Sequence, residues 1–579
     1  MAESTRPLPP LIPLSHGGWE ARSVLSSAEY TIRGLGLMPA NTVIPVIVVP
    51  GIMGTNLRAK QKPRLSRLPD ERNKLVAPGK IVWRPPNGKS EGWRESSRWD
   101  QRSPADRQRL FDAATLEVDD GGIIVLPDAQ DEYTLTEDEV RQRGWGEVHA
   151  DSYGELLYAL QTRLNQTFGY DDQAEKRFVN QHWKEVMACD PRRWGLATFA
   201  PLTEAQLEKH ARVYYPVYCV GYNWLEDCEV SSKRLEKRIS EILESWIKAK
   251  RRCEKVILVT HSMGGLVARA CARRIPNVIA GVIHGVMPTF GAPVAYRRIA
   301  CGTESSSPSN GLKEEVTAFR MGKILGQTTE RTSAVLTTSP GALELLPNHL
   351  YPAPWLHVRV TKVSNPAVRT NYEIKGSLSP TVEKTTDLLH LPSEIAPNPY
   401  DLYRDMRRWY RLANPAIADP ARMYRQLPGG VEHVIRAAID TAETFHRTLG
   451  NYYHPNTYAF YGSDRAKLSY GQVRWVARQW EAGTTALTTS NVVTAQYLGH
   501  TSSGERRVLV AGKAELSFEP EAQDGPGDGT VPRQSGIGPT GHVKQVFEVR
   551  GVDHQESFKN SDVLMLTLRL IVKIAQESS

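Results

Sequence analysis

No stretch of this 579-residue chain approaches the roughly 18 consecutive apolar residues that span a bilayer, so an integral helical membrane protein is not expected. The opening MAESTRPLPPLIPLSHGGWEARS puts Pro9, Pro10 and Pro13 where a signal peptide needs an unbroken apolar helix. No conventional secretion signal is therefore expected, and export would need another route. The six cysteines, Cys189, Cys219, Cys228, Cys253, Cys271 and Cys301, include no CxxC pair and no His/Cys metal spacing. That excludes a zinc framework and points to reduced, mostly buried thiols. No internal repeat is present, so the organisation has to be read from the alternation of elements.

What is present is a globular composition, 40% hydrophobic and 23% charged, in a chain long enough for one large domain with insertions or for several ordinary ones. The net charge of +8 favours an anionic surface, either nucleic acid or a phospholipid membrane. No motif selects nucleic acid. The basic run KAKRR at 248 to 252 ends a predicted helix, where cations suit the dipole and face water.

Apolar β-branched runs alternate with helical patterns, the mark of an α/β fold. VIPVIVVPG (43 to 51), VYYPVYCVGYNW (213 to 224), KVILVTH (255 to 261) and VIAGVIHGVM (278 to 287) read as strands covered on both faces of a parallel sheet. Between the second and third, SSKRLEKRISEILESWIKAKRR places Leu235, Ile239, Ile242, Leu243, Trp246 and Ile247 at helical spacing, a crossover helix. Further strands are expected at 457 to 462 and 542 to 551, and VLMLTLRLIVKIA (563 to 575) closes the chain as a core-packing helix. The expected core comprises 41–60, 145–300, 456–466 and 525–579, preceded by an extension at 1–40. Insertions occupy 61–144, 301–455 and a β-rich 467–524, with low-complexity CGTESSSPSNG opening the second. Trp83, Trp93, Trp99 and Trp355 within them suit a membrane interface or lid, and equally the interior of an inserted subdomain.

In LVTHSMGGLVARA (258 to 270) a buried strand runs through a sharp turn into a helix, the arrangement of a nucleophile elbow. Such a turn holds its serine, here Ser262, in a strained conformation above the sheet and needs small neighbours two residues either side. The usual G-x-S-x-G stands here as Thr260-His261-Ser262-Met263-Gly264, with threonine departing from the pattern. A serine needs a base and an orienting acid, arriving in the order Ser, Asp, His. GPGDGTVP (525 to 532) supplies Asp528 in a glycine-rich loop, and GVDHQESF (551 to 558) supplies His554 just past the final strand. Asp464 ranks second as the acid, with Asp553 and Asp524 behind it. His261 is expected to point away from Ser262 and to serve packing. Oxyanion donors are expected at the N–H of Met263 and in VVPGIMGTNL near Ile52 and Met53, where Gly51 and Gly54 let the backbone turn inward. Asp524 and Asp528 form the carboxylate pair a calcium ion would use, but no cluster has metal-ligand spacing, and no cofactor is expected.

PVIVVPGIMGTNLRAK, VYCVGYNWLED, VILVTHSMGGLVAR, VMPTFGAPVAYRR, SPGALELLPN and GDGTVP, in that order, resemble the lecithin:cholesterol acyltransferase and GPI-inositol-deacylase branch of the α/β-hydrolases. Within that branch the large insertions and missing signal peptide look most like bacterial type VI secretion lipase effectors, specifically their fourth, GPI-inositol-deacylase-like class. The resemblance implies an α/β-hydrolase fold and a lipid acyl-ester hydrolase of phospholipase A type. In it Ser262, Asp528 and His554 match the triad, and Ile52 and Met263 the oxyanion hole. It also implies insertions that act as lids, phospholipid membrane as substrate, export by a type VI system to a target cell's periplasm or a host cell, spike components as carriers and a cognate immunity protein. An acyltransferase or another lipid or GPI-type esterase would use the same acyl-enzyme. A non-catalytic binding module would be marked by loss of the Ser, Asp or His, and all three are present.

Overall fold

The computed structural model describes residues 40–61, 77–126, 135–170, 177–304, 307–308, 320, 322–364, 382–480 and 487–578, plus the short pairs Ile12–Pro13 and Trp19–Glu20. Most of the expected N-terminal extension and of 305–321 lies outside these residues. Twelve strands carry the argument. In chain order they are β1 (Val46–Val49), β2 (Val217–Cys219), β3 (Val256–His261), β4 (Ile279–Gly285), β5 (Leu356–Ser364), β6 (Val382–Leu391), β7 (Thr457–Gly462), β8 (Val473–Trp480), β9 (Gln496–His500), β10 (Arg506–Val510), β11 (Ala514–Pro520) and β12 (Gln545–Val549).

Strands β2-β1-β3-β4-β7-β12 form one sheet in that order, and every pairing within it is parallel. Parallel strands need crossovers that cover both faces, which is why β1, β3 and β4 are buried along their whole length. Alternate side chains sort to the two faces. Val46, Val48, Ile257 and Val259 pack with helices α1 (Ala150–Asn165) and α4 (Ser561–Glu577), whereas Ile47, Val49, Val256 and Leu258 pack with α2 (Cys228–Lys248) and α3 (Gly264–Arg274). The chain has the α/β-hydrolase fold.

Local departures from the pattern have plain causes. The run at 213 to 224 is split into Val213–Tyr214 and β2; Pro216 falls in the gap and has no N–H for a ladder. Ile247, placed on the apolar stripe of α2 by spacing, is 59% exposed, whereas its neighbour Trp246 stays buried and donates to the Tyr218 hydroxyl of β2, so the stripe ends at Trp246. Helix α4 packs into the core as expected, with every residue from Leu566 to Val572 buried; the Arg569 side chain donates to the Ala200 carbonyl at 2.6 Å, and Lys573 meets Glu577 at 3.1 Å. None of the helices among the described residues is long and apolar enough to cross a membrane. All six cysteines are free and five are buried, and burial raises the Cys253 and Cys271 thiols to about 12.

The two later insertions are one structure. Strands β6-β5-β8-β11-β10-β9 form a second sheet, in which β5 runs parallel to β8 over Leu356 to Val363, bringing 356–364 beside 473–480. A separate core of Tyr296, Trp355, Trp409, Trp475 and Phe518 fills it. Trp355 therefore belongs to an interior, as do Trp83 and Trp99, which are 1% and 3% exposed; Trp83 lies edge-on to Trp99, Phe111 and Trp224, and Trp99 stacks on Phe111. These three are not interface residues. Trp93 alone of the four faces water, at 52% exposure.

Candidate active site

The elbow begins where β3 ends. Ser262 has φ +52°, the left-handed conformation that costs an L-residue energy and persists because its surroundings hold it. Its N–H donates to the Gly285 carbonyl at 2.9 Å, which stops the turn from relaxing. Gly264, two residues on, has no room for a side chain. A Cβ there would lie 2.4 Å from the Pro50 oxygen and 2.5 Å from the Val49 oxygen, because α3 starts against the end of β1. The position two residues before Ser262 is different. Thr260 is fully buried, and its hydroxyl bonds Nδ1 of His284, its ladder partner on β4, at 2.9 Å. Burial pushes His284 down to about 3, so it stays neutral and the pair satisfies itself sideways, within the sheet. Threonine is accommodated there without disturbing the turn.

Three predicted residues, far apart in sequence, meet at this turn. Ser262 Oγ lies 2.9 Å from His554 Nε2, and His554 Nδ1 lies 2.8 Å from Asp528 Oδ2. The other carboxylate oxygen of Asp528 accepts from the amides of Thr530 at 3.0 Å and Val531 at 2.7 Å. Oδ2 is thereby left to face the histidine, which must carry its proton on Nδ1 and present a bare Nε2 to the serine. The backbone repeats the tie, since the His554 N–H donates to the Asp528 carbonyl at 2.9 Å. Ser262 and Asp528 are 3% and 1% exposed.

The competing acids are engaged elsewhere. Asp464 accepts from the amides of Ala466 and Gly551, Asp553 from those of Gln555 and Glu556. Asp524 binds the Gly471 amide and the Arg474 guanidinium, so it does not share a site with Asp528 as a calcium pair would.

The loop after β1 carries the second expected oxyanion element. Its left-handed residue is Met53, φ +62°, rather than either glycine. The glycines are there for close approach: a Cβ on Gly51 would sit 2.8 Å from His261 Nδ1 and 3.0 Å from Ser262 Cβ, and one on Gly54 would sit 2.9 Å from the Tyr153 ring. Met53 is held by Trp83, whose indole N–H donates to the Met53 carbonyl at 2.8 Å. The Gly51 N–H donates to the Tyr153 hydroxyl at 2.9 Å. That amide is spent, whereas the N–H groups of Ile52 and Met263 have no partner among the described residues. Met263 also stands at the N-terminus of α3, where the helix dipole favours negative charge.

His261 is buried as expected and makes none of the triad's side-chain hydrogen bonds. It does not merely fill space, however: Nε2 lies 2.8 Å from the His554 carbonyl and Nδ1 lies 2.8 Å from the Tyr153 hydroxyl. Tyr153 and Trp83 are the residues near the site whose roles the sequence hid. Tyr153 lies in an ordinary amphipathic helix, and no local spacing marks either one.

With this geometry established, comparison with known proteins places the elbow region. The family model for a PGAP1-like alpha/beta domain matches residues 229–338, a span that holds α2, β3, Ser262, α3 and β4. Asp528 and His554 lie outside the matched PGAP1-like span and join it through the fold. A solved structure, "The crystal structure of Tle4-Tli4 complex", is similar over 93% of this chain and 99% of that chain, at 27% identity and a TM-score of 0.71. This likeness extends well past the PGAP1-like domain into the insertions. No curated protein matches the sequence.

Proposed function

We propose that this protein is a serine lipid acyl-ester hydrolase of phospholipase A type, with Ser262 as nucleophile, His554 as base and Asp528 as orienting acid. The row Asp528–His554–Ser262 at the end of β3 carries the reading. His554 Nε2 takes the Ser262 proton as Oγ attacks the ester carbonyl, while Asp528 stabilises the imidazolium that forms. The amides of Ile52 and Met263 receive the developing oxyanion, a contribution of roughly 10²- to 10³-fold per donor. His554 then protonates the departing alcohol, leaving an acyl-enzyme that water cleaves by the same base.

Phospholipid as substrate rests on the resemblance to type VI lipase effectors and on the net charge of +8, which suits an anionic membrane. The same resemblance supports export by a type VI system, delivery by spike components and lids formed by the insertions. The similar chain was solved in a Tle4-Tli4 complex, which supports a cognate protein that blocks this site.

Ser262→Ala is expected to abolish fatty-acid release from phospholipid vesicles while the protein keeps its fold, as read by circular dichroism. Undiminished release from a folded Ser262→Ala protein would refute the assignment. Mass spectrometry of the wild-type products on defined phospholipids reads the headgroup, the position cleaved and transfer to an added alcohol in one measurement.

A further inference from the structure

We infer that Tyr153 and His261 are positioning residues: a neutral hydrogen-bonded row through their side chains locks the oxyanion loop to the loop that carries His554. The inference rests on the serine-hydrolase reading above and adds two residues to it.

The row has four members and one consistent arrangement of protons. The His554 carbonyl can only accept, so His261 Nε2 must be the protonated nitrogen, at 2.8 Å. Nδ1 is then bare and accepts from the Tyr153 hydroxyl at 2.8 Å. The Tyr153 oxygen, having donated, accepts from the Gly51 N–H at 2.9 Å. Burial pushes His261 down to about 3 and Tyr153 upward, so neither changes charge at working pH. The row thus has a fixed polarity, running from the residue before Ile52 to the backbone of the base.

Its position gives it a specific task. One end orients the peptide unit beside the Ile52 N–H, and the other orients the peptide unit of His554. His261 is itself the residue before Ser262, so all three reacting elements are referenced to one imidazole. The surroundings allow little slack: Gly51 has no room for a Cβ between His261 and Ser262, and the His261 ring packs against Phe558 and the His554 ring. A misplacement of about 1 Å in such a constellation costs on the order of 10²-fold in rate.

The test is a double-mutant cycle on the full-length protein with Tyr153→Phe, His261→Phe and the pair, each keeping an aromatic ring in place. Initial rates on a soluble short-chain p-nitrophenyl ester give kcat and KM, and denaturant unfolding gives stability. Each single variant is expected to lose about 10- to 100-fold in kcat, with KM within about threefold of wild type. The double variant is expected to fall no more than about threefold below the poorer single, as members of one unit do. Wild-type kcat in either folded single, or losses that multiply in the double, would overturn the inference. If the singles fail to fold, the double, which pairs two apolar rings, decides by its kcat alone. Ser262→Ala in the same assay separates the two failures. Activity retained in Ser262→Ala removes the serine mechanism and this inference with it, whereas an inactive Ser262→Ala beside a fully active Tyr153→Phe removes only the inference.

Discussion

At Asp528 the two carboxylate oxygens have different duties: one is held by two backbone amides and the other faces His554. An asparagine there cannot serve both. Either its NH₂ opposes the amides of Thr530 and Val531, or it points at His554 and forces the imidazole into the wrong tautomer. Asp528→Asn is therefore expected to lower kcat by about 10³- to 10⁴-fold. Asp464→Asn, which loses a charged acceptor for two loop amides, is expected to cost on the order of 1 kcal/mol in stability and to leave kcat within a few-fold. Steady-state kinetics of the two variants side by side distinguish the acid from its nearest rival; an Asp464→Asn protein as impaired as Asp528→Asn would reverse the assignment. The candidate acid was legible because a glycine-rich loop and a histidine past the last strand occur in the order the chemistry needs. Thr260 was legible only as a departure, since the side chain that makes it acceptable, His284, comes from the neighbouring strand.

Elements of the α/β core were legible wherever one local pattern determines them. The continuous apolar runs became β1, β3 and β4, and the helical stripe became α2. Of the inserted sheet, β8 to β11 fall in the stretch read as β-rich, 467–524, and pair antiparallel; β5 and β6 were not legible, because β5 finds its partner β8 more than a hundred residues later and nothing in either strand announces the other. The same limit hid the job of Trp83. By sequence it suits a membrane interface and an interior equally, whereas its strand, Ile81–Trp83, pairs with Leu57–Ala59 and delivers the indole to Met53. The first insertion is thus part of the scaffold of the candidate oxyanion loop. Trp83→Phe keeps most of the packing and frees the Met53 carbonyl. It is expected to lower kcat about tenfold or more with a smaller change in KM, the pattern of an interaction made in the transition state. Fluorogenic ester kinetics check it, and a change confined to KM would assign Trp83 to substrate binding instead.

Across the whole molecule, burial of histidine couples the fold to pH. His261 and His284 are pushed down to about 3, and His210 and His446 to about 4, in each case chiefly by burial. In the unfolded chain each titrates near 6.5. Between pH 6.5 and 4 the unfolded state therefore binds protons the folded state refuses, so stability is complete above 6.5 and falls as the solution is acidified. Each histidine contributes up to about 1.4 kcal/mol per pH unit in that window. Glu344 and Glu147 act in the opposite sense, since burial raises their pKa and acid suits their folded forms. With Glu226 they are three glutamates raised by burial against nine histidines lowered by it among the described residues, and they offset part of the loss without reversing it. The midpoint of urea unfolding is expected to drop steadily from pH 7 to pH 4.5, and replacing His284 together with Thr260 by an apolar pair should make that drop shallower. A midpoint independent of pH over this range would mean that the histidines bind protons equally in both states, contrary to their burial. Of these, His261 directly precedes Ser262 in the turn, and His284 bonds Thr260, two residues before it. The acid-sensitive part of the fold therefore includes the part that holds the proposed nucleophile, and the proposed esterase activity should be lost on acidification together with the structure around β3.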